Sequence, residues 1–155
     1  MPVPYLTETQ AAEIASLLQE RLWVLNDLQL LLKHVHWNVT GPNFIAVHEM
    51  IDPQIDEVRL MVDAIAERIA MLGGTPQGTA ETFGRSVGGP LSYPLGRASV
   101  AEHLAAVSKV YDEVVRHHYQ AAVSVGEVDE VTNGLLLAHV EQLDLFHWFV
   151  KAHLG

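Results

Sequence analysis

Four side chains able to bind a metal ion share one side of a single predicted helix. His48, Asp52, Asp63 and Glu67 span an arc of roughly 100° at the α-helical rotation of about 100° per residue. His48/Asp52 and Asp63/Glu67 each have the i,i+4 spacing at which two side chains on a helix are neighbours. Imidazole nitrogens and carboxylate oxygens together suit iron, zinc or manganese, and the donor set does not choose among them.

The two pairs lie too far apart to bind one ion from one chain. Eleven residues separate Asp52 from Asp63, which is about 16 Å along a helix axis, whereas a metal–ligand bond is only about 2 Å long. Either the chain has two separate sites, or a second copy of the helix runs antiparallel beside the first and the pairs meet across a two-fold axis. We favour the second arrangement, because di-metal bundles that hold their site within one chain use Glu-x-x-His motifs, and this sequence has none.

A fifth candidate ligand, His36, lies at the end of the preceding predicted helix. The Gly41-Pro42 turn that follows should fold the two helices back on each other, so that His36 can approach His48. Because carboxylates can bridge two metals, the five side chains fit two ferrous ions, or one strong and one weak site.

Four segments with apolar residues at helical spacing must position these side chains. Thr7 is the expected N-cap of the first, and Pro53 should bend or loosen the second. The segments run from about Thr7 to Trp37, Phe44 to Leu72, Ser99 to Val125 and Asp129 to Leu154.

Residues 73–98 separate the second and third segments and contain seven glycines and three prolines. A connection this long is unusual in a compact domain unless it is functional or crosses the fold. We therefore predict an all-α, ferritin-like four-helix bundle with one long crossover between helices 2 and 3. A short helix is expected in the crossover near Thr79–Val87, and residues 1–155 are expected to form a single domain.

The composition restricts the possible functions. The net charge of -10, from 19 acidic and 9 basic side chains, argues against a mainly electrostatic grip on nucleic acid and suits a protein that gathers cations. The absence of cysteine excludes disulfides and thiolate metal sites. No signal peptide and no membrane-spanning run is recognised, so a soluble, cytoplasmic protein is expected.

Three motifs together resemble the Dps family, the DNA-binding proteins from starved cells that are also called miniferritins. They are HWNVTGPNF at 36–44, VHEMID at 47–52 and DAIAERIAMLGG at 63–74, with SYPL at 92–95 in the crossover. The resemblance implies a homo-oligomeric hollow shell of twelve chains, built on two-fold and three-fold contacts, with ferroxidase centres at the two-fold interfaces. The family ligands map onto His36, His48 and Asp52 of one chain and Asp63 and Glu67 of its partner.

The same resemblance implies a function. Fe(II) binds at the shared centre, is oxidised preferably by hydrogen peroxide, and is stored as a ferric mineral, which protects against oxidative stress; zinc or manganese would compete for the centre. Acidic residues near the start of the last helix line iron pores in the family, which would place Glu127, Asp129 and Glu130 there. Trp37, beside His36, is expected to pack against the centre or quench radicals.

The chain departs from its family in its basic residues. It has no Lys or Arg before Arg21 and only Lys151 near its C-terminus, so we expect weak or absent DNA binding near neutral pH. Two alternatives to an iron-storing ferroxidase remain: a nucleoid protein without significant iron chemistry, and a metal-dependent hydrolase that uses the same site.

Overall fold

The computed structural model describes residues 3–83 and 91–155, and within them four long helices form the expected bundle. The helices are α1 (Glu8–Asn38), α2 (Phe44–Met71), the short α3 (Ala80–Phe83), α4 (Val100–Val125) and α5 (Glu130–Leu154). Two short strands, β1 (Val39–Thr40) and β2 (Ala98–Ser99), complete the elements. The predicted ferritin-like fold class is confirmed.

The helices begin where the sequence supplies capping side chains. Thr7 and Gln10 form a reciprocal capping box at α1, and Ser99 and Glu102 form another at α4. At α5, the Asp129 carboxylate accepts from the first backbone amides. The expected N-cap at Thr7 is confirmed, and each boundary predicted for the four long helices falls within a residue or two of the observed one.

A tight turn folds α2 back along α1. Gly41 has φ +96°, which costs a glycine little, and Asn43 has φ +64°, a left-handed conformation that asparagine tolerates better than most residues. The two helices pack most extensively against each other, as do α4 and α5. Helix α2 continues through Pro53 without interruption, and the expected bend there stays a prediction.

The core consists of aliphatic side chains at helical spacing. Leucines of α1 and branched residues of α2 and α4 are fully buried, and they include Leu18, Leu25, Leu32, Ile51, Ile65 and Val107. Within the described part of the chain, no helix combines the length and the apolar run needed to cross a bilayer.

The crossover ends beside the end of α1. Strands β1 and β2 pair in parallel, with Val39 opposite Ala98 and Thr40 opposite Ser99, and the Thr40 hydroxyl donates to the Ala98 carbonyl at 2.9 Å. Of the short helix predicted at Thr79–Val87, Ala80–Phe83 is helical, and positions 84–87 lie outside the described residues.

Candidate metal centre

The turn at Gly41–Asn43 brings His36 at the end of α1 against His48 in the first turns of α2. Their imidazole rings stack with centroids 3.6 Å apart and planes inclined by 22°. His36 Nδ1 lies 3.0 Å from the His48 carbonyl oxygen, and His48 Nδ1 lies 2.9 Å from the His36 carbonyl oxygen. Each ring therefore bonds to the backbone of the other residue.

These reciprocal bonds fix the tautomer of both rings. A carbonyl oxygen only accepts, so both Nδ1 atoms must carry hydrogen, which leaves the Nε2 lone pairs of the neutral rings free to bind a metal. Metal-binding histidines commonly donate their second nitrogen to a carbonyl in this way, which orients the ring. His36 is 8% exposed, and the Phe44 ring packs 5.1 Å from that of His48.

Asp52 lies one turn after His48 and is engaged by a lysine that the sequence reasoning did not identify. The Lys33 ammonium bonds to Asp52 Oδ1 at 2.8 Å, and the same oxygen lies 3.2 Å from His36 Nδ1. The bond from Lys33, with smaller contributions from the two histidines, lowers the pKa of the Asp52 carboxyl despite some desolvation. Asp52 is thus an anion that a cation already neutralises.

The carboxylates of Asp63 and Glu67 lie further along α2, on the surface of the chain. Both side chains are exposed, and neither has a hydrogen bond or ion pair among the described residues. The distance along the helix from Asp52 remains about 16 Å. Nowhere in residues 3–83 and 91–155 are three His, Asp or Glu side chains arranged to hold a metal ion.

The single chain therefore brings His36, His48 and Asp52 together but does not bring Asp63 and Glu67 to them. Even the first three do not converge, because Asp52 faces the protonated Nδ1 edge of His36 and pairs with Lys33. The available donors are two imidazole Nε2 atoms and three carboxylates, a set that suits iron and its divalent competitors.

Arg68, which follows Glu67, is held away from this surface in a buried network. Its guanidinium donates to Asp129 at 2.7 Å and to Thr132 at 2.9 Å, and it also reaches the Tyr5 hydroxyl at 3.1 Å. These contacts give Arg68 a structural role between α2 and the start of α5. The expectation that Asp129 lines an iron pore is wrong, because its side chain is fully buried and paired.

Two further residues lie close to His36 on α1. His34 Nε2 lies 2.6 Å from the Leu95 carbonyl, so His34 faces the crossover rather than the imidazole pair. Trp37 is 71% exposed, and the aromatic ring that packs on His48 is that of Phe44.

Comparison with known proteins places this geometry in a family. A model of the ferritin-like domain matches residues 15–155. The DNA protection during starvation protein of Mycolicibacterium smegmatis is 46% identical over 152 residues, which cover 98% of this chain and 82% of that protein. The chain belongs to the Dps family of ferritin-like proteins.

Solved Dps structures agree with this assignment along the whole chain. The tetragonal form of Mycobacterium smegmatis Dps superposes with a TM-score of 0.97 at 45% identity and covers 100% of this chain and 93% of that one. DpsA14 from Streptomyces coelicolor gives a TM-score of 0.95 at 47% identity, with coverage of 99% and 91%. Membership of the family implies iron binding, iron storage and ferroxidase activity in general terms, and it suggests a homo-oligomer.

Proposed function

We propose that this protein oxidises Fe(II), preferably with hydrogen peroxide, at centres shared by two-fold-related chains, and stores the ferric product inside a hollow dodecamer. The observation that carries the proposal is the imidazole pair of His36 and His48, whose Nδ1 atoms are committed to backbone carbonyls. Two free Nε2 atoms at one end of α2 form half of a metal site, and the exposed carboxylates of Asp63 and Glu67 form the other half.

A second chain supplies what one chain lacks. Two antiparallel copies of α2 related by a two-fold axis would each place His48 and Asp52 opposite Asp63 and Glu67 of the other copy. The same side of α2 also carries exposed apolar residues, since Ile45 is 56% and Leu60 is 63% exposed. At about 100° per residue these two positions lie within or just beyond the arc of the candidate ligands. Covering them with a partner would remove apolar surface from water.

The chemistry requires two metals close together. Hydrogen peroxide is reduced to two water molecules by two electrons and two protons, and each Fe(II) supplies one electron. The protein holds both Fe(II) ions against one peroxide, so that the two electrons pass together and less hydroxyl radical is released. Its own side chains provide neutral imidazole donors and carboxylates that balance the rising charge from Fe(II) to Fe(III).

The test measures Fe(II) oxidation by peroxide under anaerobic conditions in stopped flow, together with the amount of peroxide consumed. The wild-type protein should consume two Fe(II) per peroxide. His48→Ala and Asp63→Ala should each slow Fe(II) oxidation by roughly 10- to 100-fold or more, because losing even an outer hydrogen-bond partner of a metal ligand costs that much. Glu57→Ala is the matched control, because Glu57 lies on the same helix but about 80° outside the arc of the candidate ligands, and it has no side-chain hydrogen bond or ion pair among the described residues. Wild-type rates in both ligand variants would disprove the assignment.

A further inference from the structure

The crossover places a tyrosine hydroxyl directly on a buried histidine, away from the candidate metal ligands. Tyr93 Oη lies 2.7 Å from His103 Nδ1, and the two rings stack with centroids 6.0 Å apart and an interplanar angle of 17°. His103, in the first turn of α4, is 0% exposed, and Tyr93 is half-buried. Few waters can therefore compete for this hydrogen bond.

Both partners are neutral near neutral pH. Burial raises the pKa of the Tyr93 phenol, and burial also lowers the pKa of His103 despite the opposing effect of the Asn38 and Gly96 carbonyls. We assign Tyr93 as the donor and His103 Nδ1 as the acceptor, which is the tautomer with the ring hydrogen on Nε2. The two carbonyls then lie where they favour the imidazolium, the form that His103 would take on gaining the proton.

None of the other three tyrosines has a hydrogen-bond partner, among the described residues, that could accept its proton. The Tyr5 hydroxyl meets the guanidinium of Arg68 at 3.1 Å, and a cation cannot accept a proton. Tyr111 donates to an amide oxygen at 2.7 Å, which is too weak a base. Tyr119 is 52% exposed and has no hydrogen bond among the described residues. Tyr93 is therefore the tyrosine best prepared to lose an electron and a proton together.

We propose that Tyr93 and His103 form a redox-active pair that removes one-electron oxidants produced when Fe(II) meets peroxide. An oxidant of the hydroxyl-radical class takes one electron from the phenol and becomes hydroxide. The O–H bond of Tyr93 breaks and the proton moves to Nδ1 of His103, which leaves a neutral phenoxyl radical beside an imidazolium. One electron from a further Fe(II), with the proton returned from His103, restores the pair and yields Fe(III). The distance of 2.7 Å is within the reach needed for such proton transfer.

The position of the pair suits this role, which rests on the proposed function. The Tyr93 ring meets that of His34 edge-on, with centroids 6.0 Å apart, and His34 lies two residues before His36 on α1. The pairing of β1 with β2 holds the crossover against this end of α1. The pair therefore lies at the end of the bundle that carries the imidazole half of the candidate centre.

The first experiment tests the pair without iron. Apo-protein is oxidised by flash-generated ruthenium(III) tris-bipyridine with persulfate, frozen, and examined by electron paramagnetic resonance with ring-deuterated tyrosine. We expect a phenoxyl signal with the g-shift of a hydrogen-bonded radical. Most of it should be lost in Tyr93→Phe and retained in Tyr119→Phe. His103→Gln, which keeps a polar side chain but offers no base, should lose yield and the g-shift.

A second arm places the pair in the iron reaction. With Fe(II) and peroxide, Tyr93→Phe should oxidise Fe(II) at the wild-type rate but release more hydroxyl radical to a spin trap, while Tyr119→Phe should match the wild type in both. A tyrosyl signal that survives Tyr93→Phe, or one that His103→Gln leaves unchanged, would overturn the pair. A wild-type protein that fails to oxidise Fe(II) would refute the proposed function. The iron-free experiment would still show whether Tyr93 and His103 form a redox-active pair.

Discussion

A mixture of two inactive variants should regain activity if each centre is shared between chains. A two-fold pair contains two centres, and each would use His36, His48 and Asp52 of one chain with Asp63 and Glu67 of the other. When a His48→Ala chain pairs with an Asp63→Ala chain, one centre receives both substitutions and the other receives neither. The intact centre then has all five ligands.

The magnitude follows from the symmetry. Random exchange of the two variants in equal amounts makes about half of all pairs mixed, and half the centres in a mixed pair are intact, so about one quarter of wild-type activity should return. The measurement is the rate of Fe(II) oxidation by peroxide after the variants are dissociated together and reassembled. Variants that are mixed without dissociation are the control and should stay inactive.

A mixture that regains no activity would refute the shared centre. If a complete centre lay within one chain, every chain in the mixture would carry a broken site, and no activity would return however well the subunits exchanged. Native mass spectrometry of the reassembled sample verifies that mixed assemblies have formed, so that a null activity can be attributed to the centre and not to failed exchange.

Other perturbations test separate parts of the molecule. Lys33→Met should raise Zn²⁺ affinity several-fold by calorimetry, because its ammonium competes with metal for Asp52 at 2.8 Å; the exposed Lys109→Met is the control, and equal affinities would contradict this. Asp129→Asn should lower the free energy of urea unfolding by about 3 kcal/mol, because it leaves the buried Arg68 guanidinium without its anion; a loss within error of zero would refute the pairing argument. Burial lowers the pKa of His118 to about 3, so the unfolded state binds its proton first and stability should fall as the pH drops below about 6.5. His118→Leu should flatten that fall in acid urea titrations, and an unchanged slope would count against it. Gel shifts at physiological salt should detect little DNA binding near neutral pH, because the chain carries a net charge of -10; a clear shift would overturn this.

The helices could be predicted because their signals are local. Apolar spacing, the capping residue Thr7 and the turn at Gly41 each act within a few positions along the chain. Strands β1 and β2 could not be predicted in this way, since two residues show no periodicity and the pairing joins positions 59 apart in the chain.

The candidate site could likewise be predicted where it depends on local helix geometry, and could not be predicted where it depends on tertiary packing. The sequence predicts which face of α2 carries the candidate ligands, because helical geometry fixes the face. It does not predict that Lys33 pairs with Asp52, although Lys33 lies one turn before His36 and that spacing was a usable signal. The burial of Asp129 was missed because its partner Arg68 lies on another helix and the pair forms only on packing.

The imidazole pair has a consequence for how new sites are made. His36 and His48 take their orientation from each other's backbone carbonyls, so their alignment depends chiefly on the path of one turn. A protein engineer could carry this short hairpin into an unrelated helical scaffold and obtain two pre-aligned nitrogen donors. Carboxylates supplied by a facing helix of that scaffold could then be varied to favour a chosen metal.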